Sequence, residues 1–385
     1  MGWSRGPVDE RRRMIALWES GRTPTELSRQ FGVSRQTIYT FIERWQSEGE
    51  AGLEDRSRRP HTNPRKTAAA VERALLALKE QHPGYGPDKL VVLLEEAEIE
   101  LAAPTARDIL RRHGLVEARR GRTPRWSPAS EPVIAPAGPG HMMTTDYKGQ
   151  FRLGNGKYCY PLTIADPASR YVFAVEAMTI NSGKLAKVVF ERVFREWGLP
   201  DQILSDNGAP FCVSQSIGGI SELSRWWARL GVRHIRTQPG RPQQNGIHER
   251  MHRTLGEATT RPAEDTHVAQ QHRFDGFMAD FNHVRPHQGL GQKRPATVVE
   301  RYRRPYPERL PQIEYPDSFT VRRVRSNGYI KWQGQEIFVG EVLIGEPVGL
   351  VQTDDETWHL YFGNRHLADW SDRKQRWIAP AETEK

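Results

Sequence analysis

Up to about residue 116 the apolar residues of this chain recur at helical spacing, and from residue 141 strand-like runs enter. That change of period constrains the fold most, because a pattern of 3.6 and a pattern of 2 bury different faces and cannot serve one kind of element. A chain of 385 residues therefore reads as several unlike domains, two to four by length.

Residues 9–46 read as three short helices. The first runs from about Asp9 to Ser20 and stops at Gly21. Thr23 caps the second, and Glu26, three residues on, closes a capping box. Ser34 caps the third, whose Ile38, Phe41, Ile42 and Trp45 fall on one inward face. Arg35, Gln36, Thr37, Tyr39 and Thr40 are left outward. A plain three-helix bundle is the alternative, but the Gly-Val-Ser turn and an outward face rich in base- and phosphate-bonding groups favour a DNA-reading helix-turn-helix over residues 1–51.

Residues 52–66 are polar and Pro/Arg-rich, as in a linker. A second helical unit, 67–120, is expected to be another helix-turn-helix, winged-helix-like, with helices at about Thr67–Gln81, up to Glu98, and from Pro104 to Gly114. Arg107 and Arg111 on its last helix, and Arg119, Arg120 and Arg122 beyond it, are candidate DNA contacts; a solvated charge run is the alternative. Residues 121–140, with Pro124, Pro128, Pro132, Pro136 and Pro139, read as a second linker.

In 141–284, strands are expected at Met142–Phe151, Tyr158–Ala165, Arg170–Met178 and Gln202–Ser205, and helices at about Ser182–Trp197, Ser221–Leu230, Ile247–Thr260 and Val268–His283. This is an α/β layer fold with a mixed sheet. Residues 285–316 are Pro- and Arg-rich and read as a third linker. Six short strand candidates follow in 317–375, which predicts a small all-β barrel of SH3 size.

The net charge of +9 points to a polyanionic partner, with nucleic acid first. Cys159 and Cys212 form no paired motif, so a disulfide framework and a Cys-rich zinc site are not expected, which fits a reducing cytoplasm. The first residues lack an apolar signal core and a myristoylation signal, and the longest aliphatic run, Leu90 to Leu94, is too short to span a bilayer. No membrane role is expected. No phosphate-binding Gly-Lys-Ser/Thr loop occurs, so ATP is not expected either.

Three acids stand in telling places. Asp146 is mid-strand, where turn chemistry does not explain it. Asp206 ends a strand in Ser205-Asp206-Asn207-Gly208, although Asp-Asn-Gly is also a good turn. Glu249 lies on a helix whose Ile247, Met251, Leu255 and Ala258 make an apolar stripe, with Glu249, His252, Arg253 and Gly256 on the other side. An ordinary Glu249–Arg253 surface pair is the alternative. Three hard anionic ligands from separate elements can hold a pair of magnesium ions that grips the attacking and leaving oxygens of a displacement at phosphorus. Asp166 reads as a turn residue, Asp201 as a polar strand start, and Glu176 as a strand-end acid without a motif. His248 and His252 read as DNA contacts or surface residues rather than metal ligands.

Thr145-Asp146-Tyr147, then Leu199-Pro200-Asp201-Gln202-Ile203-Leu204-Ser205-Asp206-Asn207-Gly208, then Pro239 through Leu255 with Gln243-Gln244-Asn245-Gly246 and His248-Glu249-Arg250, resemble the DDE integrase core of bacterial insertion-sequence transposases, relatives of retroviral integrases. Asn282-His283-Val284-Arg285-Pro286-His287-Gln288-Gly289-Leu290 resembles that family's tail. The resemblance implies an RNase H-like fold for the core. It also implies Asp146, Asp206 and Glu249 as ligands of two Mg2+ ions, with Mn2+ as a substitute, and DNA contact by Arg241, Gln243, Gln244, Asn245 and Arg253. The 42 residues between Asp206 and Glu249 (207–248) exceed the commonest family spacing, and the surplus is placed at Ile217-Gly218-Gly219-Ile220. The His/Cys zinc unit of retroviral integrases is missing, and the helix-turn-helix pair stands in its place.

The expected activity is that of a transposase. It binds terminal inverted repeats and cuts and joins double-stranded DNA, as a homodimer or higher oligomer on bacterial cytoplasmic DNA. A silent helix-turn-helix regulator and a nuclease of the same fold that never joins are the rivals.

Overall fold

A computed structural model describes residues 8–56, 66–116, 136–238, 242–354 and 356–378. Arg119, Arg120, Arg122, Arg241 and the Gln243 side chain lie outside the described residues. The chain divides into two compact units, Met1–Ala68 and Ala69–Lys385. Among the described residues no helix is long and apolar enough to cross a membrane.

The first unit holds α1 (Val8–Glu19), α2 (Pro24–Phe31) and α3 (Arg35–Glu48). The Thr23–Glu26 capping box and the Ser34 cap both form. Leu27, Val33, Ile38, Phe41 and Ile42 close its core with Met14 and Ile15. Arg11 completes it: its guanidinium is buried, donates to the Leu53 carbonyl at 2.7 Å, reaches Asp55 at 2.7 Å and lies 4.9 Å from the Phe41 ring centre. On α3, Arg35, Gln36 and Tyr39 are exposed and Thr37 and Thr40 half-buried.

The second unit opens with α4 (Ala69–Gln81), α5 (Pro87–Glu96) and α6 (Ala103–Arg112), which pack around Leu75, Leu90, Leu94, Ile109 and Leu110. These helices also bind the core that follows. Tyr85 Oη donates to Asp280 at 2.9 Å, and Arg294 donates to Glu96 at 2.5 Å.

The core begins with β1 (Met142–Tyr147), the short β2 (Phe151–Arg152), β3 (Tyr158–Ala165) and β4 (Val172–Met178). After α7 (Gly183–Trp197) come β5 (Gln202–Ser205), α8 (Glu222–Arg229), β6 (Arg233–Arg236), α9 (Gly246–Thr259) and α10 (His267–Ala279). β1 pairs antiparallel with β3 and parallel with β5, β3 pairs antiparallel with β4, and β5 pairs parallel with β6, so β1 is central in a mixed sheet. One face carries Met143, Leu162 and Ile164 against Phe190, Phe194 and Trp227 of α7 and α8. The other carries Cys159, Ala165 and Val175 against Met251, Leu255, Phe274 and Phe277 of α9 and α10. β6 was not expected, because Arg233-His234-Ile235-Arg236 has too little apolar content to announce a strand. The expected strand Met142–Phe151 breaks after Tyr147, and Arg170 precedes its strand with φ of 65°.

Residues 285–316, expected as a linker, lie against the core: Tyr302 is buried and donates to the Met142 carbonyl at 2.9 Å, and Leu199 bridges to Arg304. The C-terminal strands are β7 (Thr320–Arg323), β8 (Tyr329–Trp332), β9 (Gln335–Phe338), β10 (Pro347–Asp354), β11 (Thr357–Phe362), β12 (Arg365–Ser371) and β13 (Arg376–Ile378). They do not close the expected SH3-like barrel. A five-stranded sheet, β13-β12-β11-β10-β7, stands beside the separate hairpin β8–β9, both wrapped on one core of Ile330, Trp332, Leu350, Leu360 and Phe362. Ile220 and Ala228 belong to that same core, so the segment around Ile217–Gly219 is where the β unit docks. Arg365 donates to the Gly218 carbonyl at 2.8 Å, and Arg225 to the Val342 carbonyl at 2.6 Å.

Candidate active site

Parallel pairing positions the first two acids. Thr144 of β1 stands opposite Leu204 of β5, so two residues further on Asp146 comes level with Asp206 at the strand ends. Asp206 Oδ1 accepts from the Gly208 amide at 3.0 Å, which orients the carboxylate on its turn. Along β1, Met143 faces α7 and α8, so the alternation puts Thr144 and Asp146 on the α9 side.

Glu249 enters from the first turn of α9 and is exposed. Asp146 is pushed up to about 7, first by burial, then by Asp206, and further by Glu249; only a bond from the Tyr147 backbone opposes this. The three acids thus share one field. Among the described residues no lysine or arginine forms an ion pair with any of them, and the nearest base, His252, stands 3.7 Å from Asp146 through Nδ1. An acid-rich oxygen set without an organic counter-ion suits a hard divalent cation. The three carboxylates are not drawn as tightly as His359, His366 and Asp369, whose ligand atoms all lie within 4.8 Å of one another. That trio is already satisfied by direct hydrogen bonds, since both imidazoles contact Asp369 Oδ1.

The buried stripe of α9 is His248, Met251, Leu255 and Thr259, not Ile247, Met251, Leu255 and Ala258; Ala258 is exposed. His248 is therefore buried and His252 half-buried, rather than surface residues. Thr144 Oγ1 lies 2.8 Å from His248 Nδ1, while Thr163 Oγ1 lies 2.6 Å from His248 Nε2 and 2.7 Å from His252 Nε2 and donates to the Asp146 carbonyl at 2.9 Å. Both Nε2–H groups donate to Thr163, and the Thr144 hydroxyl, which lies 3.3 Å from the Ala165 carbonyl and 2.8 Å from Nδ1, donates its one proton to the nearer Nδ1. Both imidazoles are neutral. Burial, with His252 beside it, holds His248 well below the usual range, and burial with Lys148 nearby holds His252 at about 3. Lys148 was not foreseen. Its ammonium approaches Gly256 so closely that a Cβ there would stand 3.0 Å from Nζ, which places a cation on the α9 side near His252.

The remaining candidates are scattered. Arg107 and Arg111 are exposed and pair loosely with Asp88 and Asp108 at 3.6 and 3.1 Å. Gln244 Oε1 accepts from the Gln238 amide at 2.8 Å, clasping the ends of the loop before α9. Asn245 is buried at the start of that helix, and Arg253 is exposed. Asp166 is a turn residue as expected but fully buried, accepting from the Ala168 amide and Ser169 Oγ. Asp201 pairs with His141 at 2.8 Å, and Glu176 with Arg192.

The helix-turn-helix domain family matches residues 10–61, and a homeodomain-like domain matches 37–110. The integrase core domain matches twice, over residues 136–242 and 230–295. This is a helix-turn-helix protein with an integrase core. The core matches span the three acids and stop before the C-terminal strands. An uncharacterized 39.2 kDa protein of insertion element IS476 from Xanthomonas euvesicatoria is 23% identical over 290 residues, 74% of this chain and 81% of that protein. The Pol polyprotein of Feline endogenous virus ECE1 is 34% identical over 110 residues, 28% of this chain; the chain spans only 10% of that polyprotein. Among solved structures, the HTLV-2 integrase catalytic core domain in complex with magnesium aligns with 43% of this chain and 100% of its own, at 14% identity and a TM-score of 0.34. A simian T-cell lymphotropic virus intasome chain aligns with 80% of this chain and 100% of its own, at 16% identity and a TM-score of 0.37.

Proposed function

We propose that this integrase-core protein is a transposase that binds the inverted repeats at transposon ends and cuts and joins DNA by direct transesterification. The observation that carries the reading is Asp146 and Asp206 level at adjacent strand ends, with Glu249 also acting on Asp146 and, among the described residues, no lysine or arginine in an ion pair with any of them. These three carboxylates would hold two magnesium ions, for which manganese could substitute. When bound, such ions polarise the phosphoryl oxygens and activate water or a DNA 3′-hydroxyl as nucleophile. The chain's own residues do the positioning. β1 and β5 hold Asp146 and Asp206 level. The Thr163 hydroxyl, held by two neutral histidines, donates directly to the Asp146 carbonyl, and the exposed Glu249 is free to close on the two aspartates from α9.

DNA recognition falls to the outward face of α3 and to the second helix-turn-helix unit, with Arg107 and Arg111 exposed on α6. The SH3-sized β unit presents exposed Arg322, Arg323, Arg325 and Lys331, which favours a DNA role for it over a purely protein one. We infer assembly as a dimer or higher oligomer on DNA, without ATP. The decisive experiment is cleavage and joining of a labelled end duplex in magnesium by Asp146→Asn, Asp206→Asn and Glu249→Gln. Each should lose activity by several orders of magnitude while duplex binding stays near normal, and a double variant should be no worse than a single one. Asp201→Asn, an exposed pair with His141, should stay within about tenfold. Full activity in Glu249→Gln would sink the third ligand. Cleavage without joining would favour the nuclease reading.

A further inference from the structure

A cavity of about 120 Å³ lies on the α9 face of the sheet and reaches Thr144, two residues before Asp146. Four cations line it from four parts of the chain: Lys89 from α5, Arg170 from the turn between β3 and β4, Arg250 from α9 and Arg285 from the turn after α10. Among the described residues none of the four comes within 4.0 Å of a carboxylate or donates a side-chain hydrogen bond to the protein. Asp280 offsets Lys89 and Arg285, and Glu257 offsets Arg285, only beyond ion-pair distance, and the nearby Asp166 and Asp280 hold hydrogen bonds of their own. Asp166 accepts from Ala168 and Ser169 at 2.8 and 2.9 Å, and Asp280 accepts from Tyr85 Oη at 2.9 Å. Lys89 and Arg285 instead lie over the Tyr85 ring, 5.7 and 5.0 Å from its centre.

Gathering unpaired cations in a partly buried space costs free energy. The cost is visible in the side chains themselves. Burial, with Arg285 nearby, brings Lys89 down to about 8, and burial lowers Arg170 and Arg285 as well. Arg170 also adopts φ of 65°, a region that side-chain-bearing residues rarely occupy and that clusters at ligand sites. Thr254 adds a hydroxyl to the wall.

We propose that this cavity is a phosphate receptor, with Lys89, Arg170, Arg250 and Arg285 closing around one phosphate group. The guanidinium forks match phosphate oxygens in pairs, and the ammonium adds a point charge. Lys89 belongs to the second three-helix unit, and Arg250 follows Glu249 on α9. A DNA backbone phosphate seated there would tie the unit that reads DNA to the helix that carries the third acid. That choice of source rests on the transposase reading; the receptor itself does not.

The test uses the full chain and no cleavage assay, so its failure is separate from failure of the catalytic reading. Thermal unfolding is followed with inorganic phosphate against chloride at matched ionic strength, for wild type, Lys89→Gln and Arg170→Gln. Phosphate should raise the wild-type midpoint in a saturable way and leave both variants unmoved. In chloride alone the variants should melt at or above wild type, because each removes an unpaired cation, which also shows that they fold. Duplex binding is measured in parallel. A DNA source predicts about tenfold weaker binding in each variant and a salt slope reduced by about one. A phosphate shift lost in the variants with unchanged duplex affinity supports the receptor with a free or nucleotide phosphate as its ligand. Equal phosphate shifts in wild type and both variants, or none in any of them, overturn the proposal.

Discussion

At the residue scale the site is organised by what Asp146 lacks. Its side chain is 21% exposed, faces two further acids and, among the described residues, has no lysine or arginine in an ion pair with it. Without a divalent ion that carboxylate opposes folding, so Asp146→Asn should melt a few degrees above wild type in EDTA while losing the activity proposed for it. Magnesium should raise wild type and not the variant; an equal magnesium response in both would detach Asp146 from the metal. The Thr163 hydroxyl makes a second case. Thr163→Val would leave the Nε2 groups of His248 and His252 without their acceptor in a buried place, at about 1–3 kcal/mol for each unsatisfied group. Urea unfolding should show a loss of about 2–4 kcal/mol that Thr163→Ser largely restores. Asp146, Asp206 and Glu249 were singled out from the sequence because each breaks a local rule or belongs to a motif. The relay was not. A periodicity argument counts histidine as polar, and only the threonine hydroxyls brought by two other strands make its burial tolerable.

Elements with locally compact signals were readable almost to the residue: β3 and β5 begin and end at the expected residues, buried almost throughout rather than alternating, and the caps at Thr23 and Ser34 form as their sequence requires. Elements whose burial depends on distant partners were not. β6 is a strand because β5 supplies its hydrogen bonds, and α9 turns His248 inward because Thr144 and Thr163 are there to receive it. The sequence reading places the surplus between Asp206 and Glu249 at Ile217-Gly218-Gly219-Ile220, and the fold shows that this segment docks the β unit. Gly218 has φ of 61°, and a Cβ on it would stand 2.8 Å from the Leu367 carbonyl oxygen in β12. Gly218→Ala therefore meets both backbone strain and a backbone collision, with a cost of about 2 kcal/mol or more. The cost should fall on docking of the β unit. Limited proteolysis should cut residues 301–316 faster than in wild type, while α3 and its caps stay protected. Unchanged cleavage there would mean that the β unit is held by other contacts.

At the scale of the whole molecule, the two helix-turn-helix units differ in a way that their similar sequence patterns hide. The first has its own core, sealed by Arg11 against Leu53, Asp55 and Phe41, and stands as a separate compact unit. The second shares contacts with the integrase core through Tyr85–Asp280 and Glu96–Arg294 and belongs to the larger unit. A cut between the units should therefore be tolerated, and a cut after the second helix-turn-helix should not. Fragment 1–68 should unfold cooperatively alone and bind duplex DNA with steep salt dependence, since phosphate contacts release counterions. Within it, Arg35→Ala with Gln36→Ala should narrow the affinity gap between end DNA and random DNA, because these exposed groups on α3 are placed to read bases. Fragment 69–385 should keep its unfolding midpoint within a few degrees of the full chain. Fragment 69–116, deprived of Asp280 and Arg294, should show a broad or absent transition. Calorimetry on the three fragments with duplex titrations checks this division. A fragment 69–116 as stable as 1–68 would show that the second unit does not need the core, and its contacts with Asp280 and Arg294 would then be docking alone.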